Sequence, residues 1–443
     1  MFGWRYLTIL RDILDRALKV ADNAEVFQIV TKETPVIFEA NKLKMLETRE
    51  SSGIALRLIK NGKLGFAVTT SLQDIDQFVR DALELASIGA ASCIDLPSYT
   101  NFSHIPVYDP AIEEVSVNDM VQIGQVLLDS IRTMNSNLLI DGRVTKVVST
   151  VSLLNSKGSE VTYTKGVFAI GMEAMLVRGE DMLFVGEHEV SCHPLFDTTK
   201  IRTSIETQLE LSKEIIEPIT GSLPVIFTPH GVSGALLQPL ITGFNGRNII
   251  QGSSPLVGKM DKKIVNNAIS VWDDPTIPYA PGSSSTDDEG VPSQRKALIE
   301  NGVVKTFLYD LQTACQAGVK STGNGSRSLG SLPAPSASLL LIDEGNTSYE
   351  DMIGDIKDGI IVERLLGAGQ GNVLSGDFNA NVLLGYRIRN GKPCGRVKNT
   401  MISGNVYEAM NNLGAIGNQS RWVGGSFKTP PLYFYNISVA SRS

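Results

Sequence analysis

Apolar positions at the start of the chain recur at helical spacing. Leu7, Leu10, Leu14 and Leu18 share one face, which predicts an amphipathic surface helix. Between residues 47 and 70 the pattern turns strand-like around Asn61-Gly62, a dipeptide suited to the positive φ angles of a type I′ turn, and a hairpin is expected. Ser71 is placed to cap a helix running to about residue 88, with Asp74 and Asp76 in its first turns. A stretch of Pro, small and polar residues, 89–110, leads to a second helix at about 117–134, capped by Ser116. A second hairpin spans 145–163 and turns at Ser156-Lys157-Gly158. Strands follow through 167–190, then a helix over 199–216 with Ile201, Ile205, Leu209 and Ile215 on one side.

The segment 218–224 is the best boundary. Beyond it Gly, Ser and Asn rise and long helical patterns thin out. Hairpin signals recur at Asn301-Gly302 and Asn390-Gly391, and short helices are expected at 307–317, 348–356 and 406–412. The chain therefore reads as α+β: an N-terminal region of helices and hairpins over 1–217, divisible at about 110/111, and a C-terminal domain over 218–443. That second domain should be mainly antiparallel β, closed or half-closed, with short helices.

Composition narrows the function classes. The 443 residues are 42% hydrophobic and 20% charged, as in an ordinary globular protein. Net charge is −7 and no Lys/Arg run occurs, which argues against a nucleic-acid surface. Arg5, Arg11, Asp12, Asp15 and Arg16 interrupt any export signal, and no apolar run approaches the roughly 18–20 residues of a membrane span. Cys93, Cys192, Cys315 and Cys394 are scattered without a CxxC, so reduced, mostly buried thiols in a cytoplasmic protein are expected.

The most informative stretch is 224–259, PVIFTPHGVSGALLQPLITGFNGRNIIQGSSPLVGK. A short apolar strand is followed by Pro229-His230-Gly231, read as a breaker. Ser233 is then the expected cap of a helix from Gly234, with Ala235, Leu236, Leu237, Leu240 and Ile241 as its apolar faces. With SSTDDEGVPSQRKALIENGVVKTFLYD (284–310), KSTGNGSRS (320–328) and the run 369–393, this stretch resembles the TldD/PmbA (TldE) family, whose TldD-type members are zinc metalloproteases. In those members the helix reads His-Glu-x-x-x-His, giving two zinc ligands and a general base. Laid onto this chain, those three positions fall on Gln238, Pro239 and Gly243, none of which can bind zinc or polarise its water. A third ligand, a Cys near the C-terminus, has no counterpart in RWVGGSFKTPPL, 421–432.

The resemblance therefore implies the PmbA/TldE branch: a non-catalytic subunit, without catalytic or metal residues or a cofactor of its own, whose TldD-like partner carries the zinc. Gln238, Gly243, Asn245 and Asn248 would line the vestigial groove for unfolded peptides, in a dimer or hetero-oligomer. The family's old label, modulator of DNA gyrase, is read as indirect.

Other candidates weigh less. His188-Glu189-Val190-Ser191-Cys192-His193 matches His-Glu-x-x-x-His literally, so a stand-alone metallopeptidase using His188, Glu189 and His193 is the alternative. The segment reads as a strand ending before Pro194, however, which puts residues five apart on opposite faces. A peptide-binding assembly protein without protease activity is a third reading. His104 and His230 read as isolated loop or turn residues. Asp287-Asp288-Glu289 reads as a turn rather than a cation loop, since the alternating carboxylate register is absent. The glycine loops at 323–328 and 367–371 lack a nucleotide fingerprint.

Overall fold

The computed structural model describes residues 2–217, 219–369 and 371–441, with side chains from residue 7 onward. Helix α1 (Phe2–Leu18) buries Leu10, Ile13, Leu14 and Ala17. It packs with α2 (Ile75–Ile88), whose Phe78, Val79 and Ala82 join the same core, against Val26, Leu56 and Leu58 of a large antiparallel sheet. That sheet contains β1 (Asn23–Glu39), β2 (Lys42–Leu46), β3 (Arg49–Lys60), β4 (Lys63–Thr69), β5 (Leu139–Asn155), β6 (Glu160–Arg178) and β7 (Asp181–Ser191). Its order is β4-β3-β1-β5-β6-β7, with β2 folded back on β1. The hairpins turn where expected: Asn61 and Gly62 take φ of 49° and 68°, and Gly158 takes 91°.

One cap differs from expectation. Asp74, not Ser71, caps α2, accepting from the Gln77 amide at 2.8 Å. Ser71 is held in a local turn, where its amide and carbonyl both bond Thr69 Oγ1. After a short α3 (Ala111–Glu114), α4 (Val117–Arg132) starts with a reciprocal capping box between Ser116 and Asp119, as its sequence promises. Helix α5 (Thr199–Leu211) follows β7 and buries Ile201 and Ile205.

The C-terminal half closes on itself. Strand β8 (Gly221–Phe227) lies parallel to Asp358–Leu366 and antiparallel to Leu432–Ser441. Leu432–Ser441 pairs with Thr400–Asn405, that strand with Asp377–Arg389, and Asp377–Arg389 with Asp358–Leu366. This circuit is a five-stranded barrel with one parallel seam. A second, smaller sheet is built from short strands between Val271 and Thr429. The fold is α+β, with mostly antiparallel sheets and short helices.

Buried charges join the C-terminal half to the first sheet. Arg57 reaches Glu25 at 2.8 Å and Glu289 at 2.5 Å, and Arg327 reaches Glu25 at 2.7 Å, all four side chains being at most 3% exposed. The DDEG turn places Glu289: Asp287 Oδ1 accepts from the amides of Glu289 and Val291, and Gly290 takes φ 77°. At the far end of the sheet, Arg396 pairs with Asp181. A disulfide, Cys93–Cys315, adds a covalent tie between the 89–110 connection and the helix Leu311–Ala317. This corrects the expectation of four reduced thiols: two cysteines 222 residues apart are brought together only by the docking of the halves, which spacing alone does not reveal. Among the described residues no helix is long and apolar enough to cross a membrane.

Candidate functional site

The helix that follows β8 begins five residues earlier than its sequence suggests. Thr228 caps it, and Pro229 occupies the first turn, where a missing N–H costs nothing. Pro229-His230-Gly231 is therefore the start of the helix and not a breaker, and Ser233 lies inside it. Gly231 is required by packing, because a Cβ there would fall 2.3 Å from the Val362 carbonyl oxygen. A π turn, Ser233–Leu237, widens the helix just ahead of Pro239. An unmodified α-helix would drive that ring into the carbonyl four residues back, and the wide turn relieves the clash. The last segment, Gln238–Phe244, buries Leu240 and Phe244 in the barrel core with Phe227 and Val362.

The four groove residues are placed as follows. Gln238 is exposed and its amide reaches Thr242 Oγ1 at 3.4 Å. Gly243 is buried, and a Cβ built there would lie 2.0 Å from Tyr407 Oη. Asn245 caps the next helix through the Arg247 amide and donates to the Pro335 carbonyl at 2.8 Å. Asn248 donates to the Thr242 carbonyl at 2.8 Å. A tetrahedral zinc site does not fit here. Two of the three positions lack any donor atom, the third offers a neutral amide, and the Tyr407 hydroxyl stands where a side chain at 243 would have to pass. That hydroxyl is itself buried without a hydrogen-bond partner.

The literal His-Glu-x-x-x-His is scattered. His188 and Glu189 are successive residues of β7, opposite Gly171 and Ile170, and point to opposite faces. Glu189 pairs with Lys200 at 3.6 Å, whereas His193 lies beyond the strand with its Nδ1 2.6 Å from Asp109 and its ring against Tyr279. His104 sits in an exposed loop.

His230 is not isolated, contrary to its sequence reading. In the first turn of the helix, its Nε2 lies 2.9 Å from Oε1 of Glu187, whose side chain is 1% exposed. The His188 amide donates to the same oxygen at 3.0 Å, while Ser204 and Arg421 donate to the other at 2.9 and 3.2 Å. The His188 ring stands 5.6 Å from that of His230. Burial alone would raise the Glu187 carboxyl, but the His230 hydrogen bond and the charges of His230 and Arg421 override it and hold the group at about 2. Glu363 also feels the charge of His230 and is raised, because burial outweighs the lowering by His230, with Glu187 adding a smaller repulsion. Sequence reasoning missed Glu187. Its signal was strand alternation, since Leu183, Val185 and Glu187 fall on one buried face.

This cluster stands between two cavities. One, of about 690 Å³, lies between α5 and the C-terminal half and is lined by Ser204, Arg421 and Glu363 among others. The second, of about 580 Å³, lies over the β5–β6 face and is lined by Glu187, His188 and Arg364. With ionised Glu187 and nearby His230, the site can hold and orient polar groups. Among the described residues no three His, Cys, Asp or Glu side chains are grouped so as to hold a metal ion.

The chain is similar to known proteins along most of its length. The PmbA/TldA metallopeptidase C-terminal domain matches residues 220–441, and the PmbA/TldA metallopeptidase domain 1 matches 24–86. An uncharacterized protein of Methanocaldococcus jannaschii is 27% identical over 89% of this chain and 92% of its own. A protein named metalloprotease from Methanothermobacter thermautotrophicus is 26% identical over 94% and 91%. The crystal structure of TldE from Thermococcus kodakarensis superposes with a TM-score of 0.88 at 24% identity, covering 98% of this chain and 100% of that one.

Two outcomes test the site. Gly243→Ala should cost about 1–3 kcal/mol in chemical denaturation by overpacking against Tyr407. Tyr407→Phe should be near neutral, and the double variant should recover most of the loss; a neutral Gly243→Ala in the native background contradicts the geometry. The Glu187 carboxyl sits below its ordinary value of 4.5, so its stabilisation is complete above that pH and is lost as pH falls toward 2. Glu187→Gln should therefore be less stable than the parent at neutral pH by on the order of 3 kcal/mol, a gap that closes between pH 4.5 and 2. A gap constant across that window would refute the assignment.

Proposed function

Because the chain belongs to the PmbA/TldD family, we propose that it is the non-catalytic, TldE-like subunit of a cytoplasmic zinc protease assembly that acts on unfolded peptides. One observation carries the reading: the helix at the family's catalytic position presents Gln238, Pro239 and Gly243, with the Tyr407 hydroxyl against the last of them. A TldD-like companion would supply the zinc and the general base. This chain would wall the peptide chamber, with Gln238, Gly243, Asn245 and Asn248 along the degenerate groove. Exposed strand edges of its sheets offer main-chain groups to an extended peptide. The separate partners of His188, Glu189 and His193 disfavour a metallopeptidase site on this chain. A net charge of −7 gives no support to direct DNA contact.

The test is reconstitution with a TldD-like chain bearing His-Glu-x-x-x-His, assayed by cleavage of an unstructured peptide. Cleavage should require both chains and survive Gln238→Ala here. Cleavage by this chain alone, or full activity of the companion without it, contradicts the proposal.

A further inference from the structure

We propose that the cavity of about 690 Å³ between α5 and the C-terminal half binds the amino-terminal end of a short peptide, with Tyr386 and Glu363 receiving its ammonium group. Its volume falls in the range of small-ligand sites. Polar side chains stand among the apolar ones of its lining: Ser204 and Gln208 come from α5, Thr228 from the cap of the helix at 229–244, and Tyr349 from the start of the short helix Tyr349–Gly354. Such an array of hydroxyls and amides suits the repeating donors and acceptors of a peptide backbone.

The floor of the cavity holds the stronger evidence. Tyr386 is 2% exposed, and its Oη faces Ser212 Oγ in a contact too poorly aligned to satisfy either hydroxyl. A buried hydroxyl left unpaired costs about 1–3 kcal/mol, and native structures seldom leave one so without use. Glu363 lies beside it and shares the lining. Burial holds this carboxyl above its ordinary value, more than the charges of His230 and Arg364 offset. A primary ammonium satisfies both groups, donating to the carboxylate and to the phenol oxygen.

The rim carries the opposite charge. Arg421 and Lys200 also line the cavity, and their side chains are 49% and 78% exposed. Each is engaged on one side by an acid of β7, Arg421 by Glu187 and Lys200 by Glu189. A carboxylate at the far end of a two- or three-residue peptide would meet them. Ammonium at the floor and carboxylate at the rim set the direction of the peptide.

This site belongs to one chain and needs no zinc subunit, so it is tested apart from the protease reading. The isolated protein is titrated calorimetrically with trialanine, N-acetyl-trialanine and trialanine amide. Saturable one-to-one binding of trialanine is expected, weakened tenfold or more by N-acetylation and severalfold by amidation. Tyr386→Phe removes a single oxygen and should weaken trialanine tenfold while leaving the thermal unfolding midpoint unchanged or raised; Glu363→Gln should do the same to affinity. No saturable binding overturns the proposal, as does binding indifferent to both acetylation and Tyr386→Phe. If trialanine binds as expected but reconstitution yields no protease, only the subunit assignment falls.

Discussion

Four buried side chains, Glu25, Arg57, Glu289 and Arg327, decide how the two halves of this molecule meet. Two come from β1 and β3 of the first sheet, and two from the loops of the C-terminal half. Two guanidinium groups and two carboxylates in one desolvated cluster contribute little net stability, because attraction is offset by the cost of leaving water. Their force is directional. Any displacement that separates one pair strands a buried charge, at a cost of roughly 3–5 kcal/mol. Arg327 also lies 4.2 Å over the Phe27 ring, and Glu289 accepts from the Leu311 amide, so the contact is fixed at several points. Once the halves are so docked, Cys93 meets Cys315, Asp181 meets Arg396, and the larger cavity closes beneath α5.

Within that frame the helix at 229–244 is shaped by packing, and under the proposed function it stands where a zinc-bearing relative would carry its ligands. Pro239 brings a widened turn, and Gly243 makes room for a tyrosine hydroxyl. Reversion would take more than restoring ligands one at a time, since a histidine at 243 would collide with Tyr407 before it could reach a metal. Polar chemistry persists a few residues away, at the start of the same helix, where His230 meets Glu187.

Much of the architecture was legible in the sequence because it rests on local rules. Asn61-Gly62, Asn301-Gly302 and Asn390-Gly391 each close a hairpin with both residues at positive φ, and Ser116 with Asp119 announces a helix start. Failures arose where a competing local contact or a distant partner decided the outcome. Ser71 lost its cap to Asp74 because Thr69 claimed it first, and Thr228 displaced Ser233 because proline tolerates a first turn better than it breaks one. The DDEG turn was readable as a turn, but its ion pair with Arg57 was not, since 232 residues separate the partners. His230 appeared alone for the same reason: Glu187 lies 43 residues away, on another element.

The claim on which the functional account turns is that this polypeptide contributes shape and contacts to peptide handling but no catalytic cation. Metal analysis of the purified chain, before and after assembly with a TldD-like companion, addresses it directly. The account predicts substoichiometric zinc on the isolated chain and one zinc per assembled pair, removed by substituting the companion's histidines and unaffected by His188→Ala here. Stoichiometric zinc on the isolated chain that disappears with His188→Ala or His230→Ala would contradict it.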